Sequence, residues 1–140
     1  MKIEEEIIVE LNKFDPAQCD WKDLDVLIEK ASEHSGEDIV KALLNLFERF
    51  PEHDGYGVSW SIIHTLETIG CYETELVNSI QRQPHEMSVP MLNRLLNDGD
   101  NEINGRKIVE ILQDIAANNS FSHEIRKQAK NLIEDQQNRT

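Results

Sequence analysis

Apolar residues recur at three- and four-residue intervals along almost the whole chain, and no stretch sustains the period-two alternation that a half-buried strand needs. That spacing commits the chain to helices. Lys2 to Phe14 places Ile3, Ile7, Leu11 and Phe14 on one stripe with Glu4, Glu5, Glu6 and Glu10 off it, and Asp15-Pro16 stops the pattern. Asp20 can cap a second helix running to about Ser32, with Trp21, Leu24, Leu27, Ile28 and Ala31 inward. Glu37 to Phe50 carries Ile39, Val40, Leu43, Leu44 and Phe47, and begins with two acids at its positive end. After the break from Pro51 to Gly57, a fourth helix spans about Val58 to Ile69 and ends at Gly70, read as a left-handed cap. Further helices are expected from about Tyr72 to Arg82, from a Ser88 cap with an early Pro90 to the Gly99 stop, from Gly105 to Ala117, and after a Ser122 cap.

Eight helices with short connections favour consecutive antiparallel hairpins in one all-α domain over residues 1–140. The last helix, Glu124-Ile125-Arg126-Lys127-Gln128-Ala129-Lys130-Asn131-Leu132, resembles the second helix of HEAT-type repeats. A short, irregular HEAT-like solenoid is therefore expected, with a compact helical bundle as the alternative.

Charge narrows the partners. The chain has 27 Asp and Glu against 14 Lys and Arg, a net charge of −13. The excess is lopsided, because 15 of the acids but only 6 of the bases fall in residues 1–54. Such a field repels nucleic acid and anionic lipid, and it steers a cationic protein toward the surface. Met1-Lys2-Ile3 followed by three glutamates lacks the features of a secretion signal, and no apolar run reaches the length of a membrane span. Two distant cysteines, Cys19 and Cys71, form neither a disulfide framework nor a zinc site and are expected to be buried, inert thiols. A cytoplasmic protein is the simplest expectation.

The fourth helix is anomalous. At 100° per residue Val58, Ile62, Leu66 and Ile69 share one side, whereas Trp60, His64 and Glu67 share the other. Either the helix is sandwiched and Trp60 is core, or Trp60 lines a recognition surface beside Tyr56. Arg94 is expected to pair with Glu67 or Asp54 across helices.

The segment Asp54-Gly55-Tyr56-Gly57-Val58-Ser59-Trp60-Ser61-Ile62-Ile63-His64-Thr65-Leu66-Glu67, with Pro84 and Met91-Leu92-Asn93-Arg94-Leu95-Leu96-Asn97 after it, resembles the helical immunity proteins of bacterial polymorphic toxin and contact-dependent growth inhibition systems, in particular the immunity protein 30 group. The resemblance covers about residues 50–135. It implies a small cytoplasmic protein without catalysis that binds and neutralises a cognate toxin domain by stoichiometric occlusion. Together with the charge it makes a basic nuclease the expected toxin. Candidate partner-binding residues are Asp54, Tyr56, Trp60 and Glu67, with the acidic N-terminal residues Glu4, Glu5, Asp23 and Asp25, whose carboxylates would stand in for substrate phosphates.

Two rivals differ in kind. One is a HEAT-like adaptor for an endogenous basic protein. The other is a metal-dependent helical enzyme using His53, Asp54, His64 and Glu67, since His64 and Glu67 sit at i and i+3. No second matching Glu-x-x-His appears, no nucleophile elbow or phosphate-cradling glycine loop is present, and no catalytic residue, cofactor or metal is expected.

Self-repulsion of this net charge predicts that stability rises with ionic strength. Raising sodium chloride from about 0.02 M to about 0.3 M should lift the thermal midpoint by roughly 3–5 °C; a midpoint that stays put or falls contradicts the expectation.

Overall fold

In the computed structural model, which describes residues 3–51 and 57–138, most apolar stripes are buried against a sequence neighbour, against the helix two positions along the chain, or against both. The elements are α1 (Glu4–Lys13), α2 (Trp21–Ala31), α3 (Glu37–Arg49), α4 (Val58–Ile69), α5 (Glu73–Arg82), α6 (Val89–Asn97), β1 (Glu102–Ile103), β2 (Arg106–Lys107), α7 (Ile108–Ala117) and α8 (His123–Gln137). Helix α1 packs on α3 and α3 on α5, while α2 packs on α4 and α6 on α8. These contacts set α1, α3 and α5 in one layer, called odd, and α2 with α4 and α6 with α8 in another, called even, with α7 joined through α6 and α8 in an all-α fold. One continuous core runs between them, from Ile7 and Leu11 through Leu43, Phe47 and Leu66 to Leu92, Leu112 and Ala129.

Arg49, in the last turn of α3, ties the first hairpin to the second. Its guanidinium donates to the carbonyls of Leu11 (2.7 Å), Phe14 (3.1 Å) and Asn12 (3.2 Å), at the C-terminal end of α1 where the last carbonyls have no helical partner. A cation there also meets the negative end of the α1 dipole. Partial burial pulls the Arg49 guanidinium slightly below its ordinary range, and it rests over the Phe50 ring at 5.4 Å. Phe14, Trp21 and Phe50 close this end with ring centroids 5.0–6.0 Å apart.

The next residue back, Glu48, reaches the opposite way. Its carboxylate accepts from the Ser79 hydroxyl (3.0 Å) and from both arms of Arg82 (2.7 and 3.1 Å), joining α3 to α5. Further along, the Gln136 amide donates to Asn93 (2.6 Å) and Asn97 (3.0 Å), joining α8 to α6.

Several local expectations need correction. Ser88 does not cap α6; its hydroxyl accepts from the His85 amide (2.9 Å) and donates to the His85 carbonyl (3.1 Å), closing a turn around the buried His85 ring. Asp20 precedes α2 without a side-chain cap, whereas Ser122 does cap α8 by accepting from the Ile125 amide at 3.2 Å. Gly70 has φ 78° and ψ −178°, a glycine-only conformation but not the left-handed one. Gly99 does terminate α6 with a positive φ, the Asp100 and Gly99 amides donating to the Leu95 and Leu96 carbonyls at 3.0 and 3.1 Å. Helix α7 begins at Ile108, because Asn104 and Gly105, both at positive φ, fold Glu102 to Lys107 into a minute antiparallel hairpin. Cys19 and Cys71 are exposed, each lying in a connection between helices.

Replacing Arg49 with Met keeps the apolar stem but removes its three hydrogen bonds to the Leu11, Asn12 and Phe14 carbonyls, of which Leu11 retains the Phe14 amide. The variant should lose about 2 kcal/mol of stability in urea denaturation, more than Lys, which retains the charge but not the fork. An Arg49→Met protein as stable as the parent would remove this clamp from the account.

Candidate functional site

The side of α4 that turns away from the core is set by its spacing. Ile62, Ile63 and Leu66 are buried, so Trp60 and His64, four residues apart, share the outer face. Trp60 is 50% exposed and stacks on the His64 imidazole at 6.0 Å with a 29° interplanar angle. The reading of Trp60 as core is thereby overturned. Its ring is held by a neighbour on a regular helix rather than by a loop, so it is presented in one orientation.

Beside this pair, α2 and α4 enclose a shallow groove of about 340 Å³. Asp25, Glu29 and Ser32 form one wall, Ser61, His64 and Thr68 the other, and Ile28 and Thr65 the floor. Two carboxylates and no lysine or arginine line it. Ser32 and Thr68 donate back to the Glu29 carbonyl (2.6 Å) and the His64 carbonyl (2.8 Å), so both hydroxyls are tied to their own helices.

Glu67, one turn further along α4, forms a two-pronged pair with Arg94 of α6, Nε to Oε2 and Nη2 to Oε1 both at 2.8 Å. Arg94 thus chooses Glu67. The hydrogen bonds from Arg94 hold the Glu67 carboxyl below its usual range, with partial burial opposing them. Tyr72 is buried nearby, its phenol pushed up to about 12 by burial first and by Glu67 second. Both Glu67 oxygens being occupied, His64 and Glu67 do not form an open ligand pair, and no group of three or more His, Cys, Asp or Glu among the described residues is arranged to hold a metal.

The remaining sequence-predicted positions divide among three surfaces. Asp25 lines the α2/α4 groove with His64, the residue on which Trp60 stacks. Asp23 lies instead in an α1/α2 trough with Glu10, Lys13, Val26 and Lys30, and Glu5 lines a groove formed by α1, α3 and α5 on the odd layer. Glu4 is half-buried, its Oε1 3.2 Å from where a Cβ on Gly36 would stand, beside the start of α3. The six described positions therefore do not form a single patch, because residues of one amphipathic helix only two apart face different neighbours. Asp54 and Tyr56, together with His53 of the metal reading, lie outside the described residues. Sequence reasoning missed Glu29 and Ser32, whose signal was their i+4 and i+7 spacing from Asp25.

No family model, curated protein or solved structure matches this chain.

The Glu67–Arg94 pair supplies a pH test. A carboxyl whose folded-state pKa is depressed contributes stability above its unfolded pKa and loses it as pH falls through the folded value. Arg94→Met should cost about 1 kcal/mol at neutral pH, a modest figure because Arg94 is partly exposed. The difference from the parent protein in urea unfolding should vanish once acid has protonated Glu67; a gap that persists would assign the cost to packing instead.

Proposed function

We propose that this protein is an immunity-type binding protein that captures a cationic toxin domain through its even-helix face, working by stoichiometric occlusion. The observation that carries the reading is Trp60, a large aromatic half in solvent and stacked on His64, which also lines a groove holding the carboxylates Asp25 and Glu29 and no Lys or Arg. Aromatic anchors on rigid helices lose little conformational freedom on binding and are the residues on which interface energy concentrates. A groove lined by acids and by no Lys or Arg favours a partner rich in Lys and Arg, as the net charge of −13 does over longer range. The resemblance across residues 50–135 supplies the toxin-neutralising role, and a nuclease would present the required positive surface.

The same geometry serves an adaptor for an endogenous basic protein. Gene context separates the two, since an immunity gene lies directly downstream of its toxin gene. The experiment is titration of this protein with the domain encoded immediately upstream, together with rescue of cells expressing that domain. One-to-one binding and rescue are expected, and Trp60→Ala should weaken binding about 30-fold, the size of an interface hot spot. Its fold should be unaffected because the ring is half-exposed. Binding that ignores the Trp60 substitution moves the interface elsewhere, and absence of both binding and rescue ends the toxin reading.

A further inference from the structure

A second, larger concavity than the α2/α4 groove lies on the other layer. It is a groove of about 860 Å³ crossing α1, α3 and α5, and its floor is built from Ile8, Val9 and Ala42. Val9 is 48% exposed, an apolar side chain outside the buried stripe of α1, and Ile8 beside it is only partly covered. Positions 5, 8, 9 and 12 of α1 and 38, 41, 42 and 45 of α3 repeat the same three-four-seven spacing, so two matching helical faces open toward each other.

The charge in this groove is ordered along its length. Glu5, Asp38 and Glu75 all come from the first turns of their helices, where acids offset the positive end of each dipole. Stacking α1, α3 and α5 brings those three acidic first turns to one end of a single groove. Among the described residues these three carboxylates make no hydrogen bond or ion pair. The two cations of the lining are already engaged, Lys41 with Glu37 at 3.2 Å and Arg82 with Glu48. The Lys41 ammonium is held above its ordinary range by its hydrogen bond to Glu37, and Glu75 and Asp38 add to the effect. Asn12 and Asn45 continue the lining away from the acids.

The geometry points to this groove as a docking site for a cationic amphipathic helix of a partner protein, its apolar stripe on Ile8, Val9 and Ala42 and its lysines or arginines at the Glu5, Asp38 and Glu75 end. The eleven residues from Asp38 to Glu48 span about 15 Å of α3, enough for some three turns of such a helix. The inference rests on the reading of this protein as a binder of cationic protein for the sign of the partner's charge, and adds a second surface remote from Trp60.

The test uses a fluorescein-labelled helical peptide of about 14 residues with leucines on one face and lysines on the other, titrated with the full chain in 0.15 M salt and followed by anisotropy. Measurable binding is expected. Glu5→Lys with Glu75→Lys should weaken it at least tenfold, and Val9→Asn, which alters no charge, at least threefold. The same charge change on α8, Glu134→Lys with Asp135→Lys, should alter it less than twofold, as should Trp60→Ala. All substituted side chains are exposed or half-exposed, and far-UV circular dichroism checks the fold of each variant. Equal losses from the α1/α5 and the α8 charge reversals would reduce the binding to general electrostatics, loss in Trp60→Ala would place the peptide on the even layer, and no binding at 0.1 mM peptide would end the proposal. Peptide docking here while the upstream-encoded domain fails to bind would leave the groove standing and remove only the toxin reading.

Discussion

Two adjacent side chains at the end of α3 hold the stack together. Arg49 reaches back to the carbonyls that finish α1, and Glu48 reaches forward to Ser79 and Arg82 of α5. The hydrophobic core supplies most of the driving force for layering helices, but apolar burial is non-directional and leaves the sliding of one helix along the next weakly defined. Charge-assisted hydrogen bonds with fixed fork geometry do define it. Glu67 with Arg94 and Gln136 with Asn93 and Asn97 play the same part in the even layer, so polar contacts between helices two apart recur along the molecule. The alignment of α1, α3 and α5 that gathers their acidic first turns follows from this registration.

The division into eight helices was legible because each apolar stripe is long enough for the 3.6-residue period to emerge, and buried positions such as Ile39, Val40, Leu43, Leu44 and Phe47 are those the stripe selects. The Glu67–Arg94 pair was legible as one of two choices. What escaped was decided by local chemistry or by helix-to-helix placement. Asn104-Gly105 is a strong hairpin signal, yet it sits between runs too short to display alternation, and so the start of α7 was drawn early. Ser88 looked like a cap, but a serine hydroxyl can close a turn on the residues before it instead. Arg49 gave no sign of its role, since its acceptors are carbonyls 35 to 38 residues earlier, which no periodicity reveals.

The candidate surface was half legible for the same reason. Angular position on α4 correctly grouped Trp60 with His64, and only the packing of neighbours could decide that this side faces solvent. The acids of the first two helices were grouped by charge alone, and the layers then distributed Glu5, Asp23 and Asp25 to different faces. Net charge therefore describes the long-range field of this protein well and its contact surfaces poorly, because the former sums over all groups and the latter depend on which helix covers which.

A pile of hairpins in which each touches chiefly the next behaves almost as a one-dimensional lattice, its cooperativity carried by the interfaces between successive units. Among the described residues the outermost pairs, α1/α2 and α7/α8, each pack on a neighbouring pair from one side and can open while the middle stays shut. The groove shared by α1, α3 and α5 spans the first such interface, so whatever fills it would also fasten the outermost hairpin to the body, and recognition there would be coupled to the fraying of that end.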